Sequence, residues 1–279
     1  MRRRSCRWGC CSRGWEGRFS YGCCSGCAVF ELDRVSWSGR LTEVSLQWLP
    51  GQQVALIGPN GAGKSSLLQV LAGQQVPDRG QIRLNGRPLS AYSAMAQARW
   101  RAWLPQAGDT VAPLTGEQLL HLGQMPDVAV APERLAEVVE TLELAALLPR
   151  PLMQLSGGER QRLHLGRVLV QVWAQPRDHP RALLLDEALA SLDIRHRMRL
   201  LAALARWCAC GELALVWSSH DLNEAFAHST RVWLMQAGRL IAAGETAQVM
   251  TEKSLSQVFQ WPIERVETPK GPVLRAKHA

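Results

Sequence analysis

The chain has 279 residues, of which 47% are hydrophobic, and it carries a formal net charge of +8. A globular chain of this length can form one large domain or a core with subdomains. The sequence has no run of about 18 or more apolar residues, which excludes a membrane-spanning helix, so any role at a membrane is expected to depend on a partner protein.

The positive charge and the cysteines are concentrated in residues 1–28. This segment holds six arginines and one acidic residue, whereas the rest of the chain is nearly balanced, so we expect no basic face for nucleic acid. Its cysteines fit no zinc pattern well, and no apolar segment typical of a signal peptide follows the arginines. We expect residues 1–28 to be a disordered or untranslated extension, with a metal-binding module as the alternative. The cysteines concerned are Cys6, Cys10, Cys11, Cys23, Cys24 and Cys27.

The regular pattern begins near residue 29. Apolar and polar residues alternate in Phe30–Val35 and again from Leu41 to Leu49, which predicts two half-buried strands. Val54–Ile57 is wholly apolar, as is typical of a strand buried on both faces. A glycine-rich loop and a helix predicted over Lys64–Ala72 follow directly, and residues 81–89 predict a further short strand and turn.

The second half of the chain alternates predicted helices with apolar strands. Such alternation is typical of an α/β fold with a parallel sheet. The predicted helices cover residues 133–148, 157–173 and 222–228, the predicted buried strands 183–185 and 213–217, and a predicted hairpin 231–243 turns at Ala237-Gly238.

Residues 58–65 fit the pattern G-x-x-x-x-G-K-[ST]. Glycines let successive backbone N–H groups point at phosphate oxygens, and the helix that starts near Lys64 directs its positive end at the same anion. Lys64 would bridge the β- and γ-phosphates, and Ser65 would ligate Mg²⁺. Because a strand precedes the motif and a helix follows it, we predict a phosphate-binding loop rather than a chance turn. The predicted nucleotide contacts are Gly58, Pro59, Asn60, Gly61, Ala62, Gly63, Lys64, Ser65 and Ser66.

Two acidic residues directly follow the buried strand predicted at 183–185. Asp186 would hold Mg²⁺ or its water shell, and Glu187 would polarise the attacking water. An acidic residue after a buried strand is common, so this signal is weak alone. The phosphate-binding loop upstream makes it strong.

The segment Leu155–Gln161 places a serine and two glycines at the start of a predicted helix. Alone, it would be an ordinary helix cap. It resembles the signature of the ATPases of ABC transporters, and the phosphate-binding loop, the signature and the Asp-Glu pair follow that family's order. The resemblance implies that Ser156 and Gly158, with Gly157 between them, contact the γ-phosphate of ATP held by a second copy of the chain.

The resemblance covers about residues 29–250 and implies roles for four further positions. Gln106 corresponds to the glutamine that contacts Mg²⁺ and the attacking water, and His220 to the switch histidine at the γ-phosphate. With Glu187 they form the predicted catalytic set. Asp193 resembles the loop that crosses the dimer. Trp37 would stack on adenine, with a purely structural aromatic as the alternative.

The resemblance implies a P-loop NTPase (RecA-like) α/β fold. Its parallel-sheet core would carry an antiparallel β subdomain and an inserted α-helical subdomain at about 106–154, with 251–279 as a C-terminal extension. The implied assembly is a homodimer of ATPase subunits on two membrane permease subunits, supplied by a periplasmic binding protein. It would use ATP and Mg²⁺ on the cytoplasmic face of a bacterial inner membrane.

The subfamily is indicated by the run Ser218–Asn223, the pair Arg40-Leu41 and the proline-bearing insert 171–180. These resemble the ATPases of importers for metal chelates, most of all vitamin B12. Haem and iron-siderophore importer ATPases are close alternatives, and a soluble ABC ATPase of iron–sulfur cluster assembly is the alternative of another class. The chain departs from the family at Ser66, usually threonine, and at Ala188, usually proline, which is expected to loosen the following turn.

Overall fold

The computed structural model describes residues 29–106, 113–125, 128–174, 181–269 and 271–277. The expectations for residues 1–28 and for most of the insert 171–180 lie outside these ranges. The strands are β1 (Phe30–Trp37), β2 (Leu41–Trp48), β3 (Gln53–Ile57), β4 (Arg79–Leu84), β5 (Arg87–Pro88), β6 (Arg101–Leu104), β7 (Ala182–Leu185), β8 (Ala214–Ser218), β9 (Arg231–Gln236), β10 (Arg239–Glu245), β11 (Ile263–Thr268) and β12 (Gly271–Ala276). The α-helices are α1 (Lys64–Leu71), α2 (Ala94–Ala98), α3 (Gly116–His121), α4 (Pro132–Thr141), α5 (Gly157–Trp173), α6 (Ile194–Ala209), α7 (Leu222–His228), α8 (Thr246–Val249) and α9 (Glu252–Phe259).

A six-stranded sheet forms the centre of the fold, in the order β10-β9-β3-β8-β7-β6. Strands β9, β3, β8, β7 and β6 are parallel, and β10 joins the edge as the antiparallel partner of β9. Both central residues of the β9–β10 turn, Ala237 and Gly238, have positive φ angles. That geometry suits a tight two-residue hairpin turn, so the hairpin prediction is confirmed.

The central sheet is buried on both faces. Ala55 and Ile57 of β3 contribute to one apolar core, whereas Val54 and Leu56 contribute to the other. This alternation follows the two-residue period of a strand. It explains why the central strands read as unbroken apolar runs, and the predicted α/β fold with a parallel sheet is confirmed.

A second, antiparallel sheet lies over one of these cores, in the order β2-β1-β4-β5. The apolar positions of β1 and β2, including Phe30 and Trp48, share that core with β3 and α1. The rings of Phe30 and Trp48 stack at 5.6 Å, and Trp48 meets Trp233 of β9 edge-on at 6.3 Å. Aromatic packing therefore joins the two sheets.

Helices α3 and α4 lie between β6 and α5 along the chain and pack on α5. The prediction of one helix over 133–148 is wrong, because α4 ends at Thr141. Glu143 adopts φ +51°, its N–H donates to the Glu140 carbonyl, and the Leu144 N–H donates to the Val139 carbonyl. This pair of bonds is the Schellman ending of a helix.

The C-terminal residues add α9 and the two-stranded sheet β11–β12. The hairpin contacts α7, mainly through β12. No helix in the described part of the chain is long and apolar enough to span a bilayer.

Candidate active site

The predicted phosphate-binding loop connects β3 to α1, at the carboxyl end of a central parallel strand. Gly58 has φ +153°, and a Cβ there would lie 2.2 Å from the Met235 carbonyl oxygen. Gly63 has φ +98°, and a Cβ there would lie 3.0 Å from the Arg40 carbonyl oxygen. Only glycine fits both positions, because each has a positive φ and lies against the backbone of a neighbouring segment.

Lys64 begins α1, and its side chain folds back over the loop. Its Nζ donates to the carbonyl oxygens of Gly58 at 2.8 Å and Pro59 at 3.2 Å. Burial lowers the pKa of the Lys64 ammonium, and the carboxylates of Glu187 and Asp186 partly oppose this shift. The loop thus holds a desolvated cation, which a phosphate group would complement.

The tip of the β1–β2 hairpin lies beside this loop. The Arg40 carbonyl is close to both Gly63 and Gly238, and the Thr42 N–H donates to the Gly238 carbonyl at 2.8 Å. Trp37, half-buried at the end of β1, has the Arg40 guanidinium 5.7 Å from its ring centroid. It borders an open groove of about 640 Å³. Trp37 therefore belongs to the same hairpin as Arg40, whose carbonyl meets the phosphate-binding loop.

Asp186 follows β7, and its side chain is almost completely buried, with 2% of the residue surface exposed. Its Oδ1 accepts a hydrogen bond of 2.7 Å from the Ser218 hydroxyl, and no hydrogen bond to Oδ2 is formed within the described residues. A buried carboxylate with an oxygen left open suits a hard cation. With the hydroxyl of Ser65 and the amide oxygen of Gln106, Asp186 offers the oxygen ligands that Mg²⁺ prefers.

Glu187 is contacted from two other loops. Its Oε2 accepts a 2.8 Å hydrogen bond from Gln106 Nε2, and its Oε1 lies 2.5 Å from His220 Nε2. Glu187 itself has φ +50°, a left-handed conformation that costs a non-glycine residue on the order of 1–3 kcal/mol. Three residues that are distant in sequence thus meet, and the central one has a strained backbone conformation.

The signature segment lies at the N-terminus of α5. Ser156 caps the helix by accepting from the Glu159 N–H at 3.3 Å, and Glu159 accepts from the Ser156 N–H at 2.8 Å. The hydrogen bond that the carboxylate accepts from the Ser156 N–H, and next its interaction with the Ser156 side chain, lower the Glu159 pKa. No hydrogen bond within the described residues joins residues 156–158 to the loop 58–65.

Asp193 caps the following core helix, α6. Its Oδ1 accepts from the His196 N–H at 2.9 Å, and its Oδ2 lies 2.6 Å from His196 Nδ1. These contacts hold the pKa of the Asp193 carboxyl below its usual range. These contacts fix the residue at which the loop ends and α6 begins. A Cβ on Gly158 would lie 3.5 Å from the carbonyl oxygen of Ser191, which belongs to this loop.

Two residues that lie inside the quoted motifs, Ser218 and Gln161, make contacts at the site that the motifs do not indicate. Ser218 contacts both carboxylate residues, and Gln161 of α5 donates to the Ala188 carbonyl at 2.8 Å. Gln161 thus ties the signature helix to the turn where Ala188 replaces the usual proline. Parallel strand pairing and helix packing create these contacts, so a motif search along the chain does not find them.

Comparisons with known proteins agree with this geometry. The hemin import ATP-binding protein HmuV of Pseudomonas putida is 42% identical over 223 residues, which are 78% of this chain and 86% of that protein. The vitamin B12 import ATP-binding protein BtuD of Yersinia enterocolitica is 40% identical over 234 residues, or 83% and 92% of the two chains. BtuD of Pectobacterium atrosepticum is 41% identical over 240 residues, or 84% and 94%.

Solved structures show the same fold. A structure of the ATP binding subunit of an ABC transporter aligns with a TM-score of 0.72 at 24% identity, covering 83% of this chain and 98% of that chain. An ATP-binding cassette of an ABC transporter in its ADP conformation aligns at 0.67 and 20% identity, covering 84% and 98%. Residues 41–190 also match the family described as ABC transporter. This match spans more than half of the chain, so the chain belongs to the ABC transporter family, as one of its ATPase subunits.

Proposed function

We propose that the chain is the ATPase subunit that energises an ABC importer, with vitamin B12 as its substrate. The observation that carries the proposed catalysis is the contact of Gln106 and His220 with the two carboxylate oxygens of Glu187. A general base needs defined hydrogen-bond partners and a fixed direction, and Glu187 has both.

Mg²⁺ would be held by Ser65, Asp186 and Gln106, and it would neutralise charge on the phosphates. The amide nitrogen of Gln106 is engaged by Glu187, which leaves the amide oxygen for the metal. Glu187 would accept a proton from the attacking water, and His220 would hold the carboxylate in place. Phosphoryl transfer depends mainly on such positioning and on charge neutralisation.

The second wall of the site would come from another copy of the chain. Ser156, Gly157 and Gly158 lie at a helix N-terminus, which favours anions. We propose a head-to-tail homodimer in which they contact the γ-phosphate, Asp193 crosses the interface and Trp37 stacks on adenine. The dimer would bind two permease subunits at the cytoplasmic face of the inner membrane, with a periplasmic binding protein delivering the substrate.

The substitution Glu187→Gln tests the catalytic assignment. The amide keeps the size of the side chain but cannot accept the proton, so ATP should still bind while kcat falls by about 10²–10³ or more. We expect ATP-dependent dimers on size exclusion, because hydrolysis no longer releases them. Hydrolysis at the wild-type rate would show that Glu187 is not the base.

The relatives divide between vitamin B12 and hemin import, so the substrate needs its own experiment. The chain should be co-expressed with the permease encoded beside its gene, reconstituted, and assayed with binding protein loaded with cobalamin, haem or ferric siderophore. We expect cobalamin to stimulate ATP hydrolysis most. Greater stimulation by haem or siderophore would favour the alternative importers. A chain that binds no permease would favour a soluble ATPase of iron–sulfur cluster assembly.

We also propose domain limits that the fold suggests. The ATPase domain would cover residues 29–250, with the helical subdomain at about 106–154 and a C-terminal extension from 251. The intact mass of the native protein would show whether residues 1–28 are present.

A further inference from the structure

Ser218 lies where two parallel strands end side by side. Leu185 of β7 pairs with Trp217 of β8, and the next residues along the two strands are Asp186 and Ser218. Ser218 is almost completely buried, with 3% of its surface exposed. Its side chain is therefore held beside Asp186 by the register of the central sheet.

The Ser218 hydroxyl makes two hydrogen bonds of 2.7 Å. It donates to Asp186 Oδ1 and accepts from the backbone N–H of Glu187. An N–H can only donate, so the single hydroxyl proton is available for the carboxylate. The hydroxyl therefore acts as a donor to Asp186 and as an acceptor for Glu187, which are adjacent residues of the proposed site.

These two bonds fix different properties of the site. The bond to Oδ1 orients the Asp186 carboxylate and leaves Oδ2 open. The bond from the Glu187 N–H holds the peptide group that precedes Glu187 in place. Glu187 has a left-handed backbone conformation, and in that conformation its side chain contacts Gln106 and His220. The turn has no proline at Ala188 to restrict it.

We infer that Ser218 is a positioning residue for ATP hydrolysis, which couples the orientation of the metal-binding Asp186 to that of the general base Glu187. The inference rests on the proposed function, since it takes the roles of these two residues from there. Ser218 touches neither nucleotide nor water in this role, and its effect passes through the two carboxylate residues.

The test compares Ser218→Thr with Ser218→Val. The two side chains have the same shape and both suit a strand, but only threonine keeps the hydroxyl. Metal affinity is measured as Mn²⁺ binding to protein loaded with a non-hydrolysable ATP analogue, followed by electron paramagnetic resonance. The rate of ATP hydrolysis, nucleotide binding without metal and the unfolding temperature are measured on the same proteins.

Ser218→Val should weaken Mn²⁺ binding and lower kcat by about 10- to 100-fold each, as is typical when a residue behind a metal ligand is lost. Ser218→Thr should stay close to the wild type, and both variants should bind nucleotide equally without metal. Equal Mn²⁺ affinity and kcat in the two variants would overturn the inference, as would a loss of metal-free nucleotide binding in Ser218→Val alone.

The variant Asp186→Asn distinguishes a failure of this inference from a failure of the proposed function. If Asp186→Asn weakens Mn²⁺ binding while Ser218→Val does not, only the role of Ser218 is overturned. If Asp186→Asn binds Mn²⁺ as tightly as the wild type, the proposed metal site fails, and the inference fails with it.

Discussion

Lys64 carries a charge that the fold buries against backbone carbonyls. Burial lowers its pKa, although Glu187 and Asp186 act in the opposite direction. In the pH range between the lowered pKa and 10.5, the unfolded chain binds more protons, so the contribution of this residue to stability rises with pH there. Without nucleotide, the charged form of Lys64 is less favourable in the folded chain than in the unfolded chain. A bound triphosphate would favour the charged form of Lys64 in the folded chain, because it supplies negative charge.

Replacing Lys64 by methionine should therefore affect stability and binding in opposite ways. The methionine variant should be at least as stable as the wild type without nucleotide. With ATP at about 100 times its Kd, the wild type should gain about 2.7 kcal/mol of unfolding free energy, and the variant almost none. Urea unfolding with and without ATP measures both effects. Equal stabilisation of the two proteins by ATP would contradict the role of Lys64.

Among the elements, α7 connects the proposed switch to the C-terminal hairpin. It begins at Leu222, two residues after His220. Asn223 Nδ2 donates to the Leu274 carbonyl at 3.0 Å, and the Leu274 N–H donates to Asn223 Oδ1 at 2.7 Å. The Arg265 guanidinium also lies 5.5 Å from the ring centroid of Phe226. The side-chain amide of Asn223 thus makes the pair of backbone hydrogen bonds that a neighbouring strand would make with β12, and it joins β12 to α7.

Asn223→Asp should detach the hairpin locally. The carboxylate keeps the acceptor for the Leu274 N–H but has no N–H for the Leu274 carbonyl. We expect amide hydrogen exchange in β11 and β12 to become about tenfold faster, which corresponds to about 1.4 kcal/mol of lost protection. Asn223→Ser, which keeps a donor, is the milder control. Unchanged exchange in Asn223→Asp would show that other contacts hold the hairpin.

The sequence patterns predicted central elements better than peripheral ones. Buried parallel strands give unbroken apolar runs, and α5 has a capping box, so its predicted bounds match the structure. Helix α4 was predicted too long because its ending has Glu143 at the position where glycine is usual. The carboxylate of Glu143 accepts hydrogen bonds from Arg195 and Arg199 of α6, which gives a reason for glutamate there. Sequence patterns did not predict α6 or the charged hairpin β11–β12.

Motifs indicated most residues of the site, but not their contacts. The loop 58–65 and the Asp-Glu pair are continuous in sequence, so spacing alone reveals them. The meeting of Gln106 and His220 at Glu187 spans 81 and 33 positions. It depends on β6, β7 and β8 being neighbours in the sheet, and so does the contact of Ser218 with Asp186. Strand order is a tertiary property that a single sequence does not state.

For the whole molecule, Gly157 and Gly158 are not explained by the fold of one chain. Neither has a positive φ, and a Cβ on Gly157 would meet no described atom within 4 Å. On Gly158 it would meet only the Ser191 carbonyl, at an ordinary 3.5 Å. Glycine also has more backbone freedom to lose on folding than alanine, so both glycines carry an entropic cost. The close approach of a group from outside the chain, such as a nucleotide on a second copy, would account for both.

Mixing two inactive variants tests this assembly. Lys64→Met removes a contact on one wall of the proposed site, and Gly158→Val adds bulk to the other wall at a place where the single chain has room. Dimers of either variant alone should not hydrolyse ATP. A mixed dimer has one site with both walls intact, so an equal mixture should recover about a quarter of the wild-type sites if subunits exchange freely. If the subunits exchange but no activity is recovered, one chain completes its own site. Every chain in the mixture would then carry a defect in its own site, and mixing could not restore an intact one.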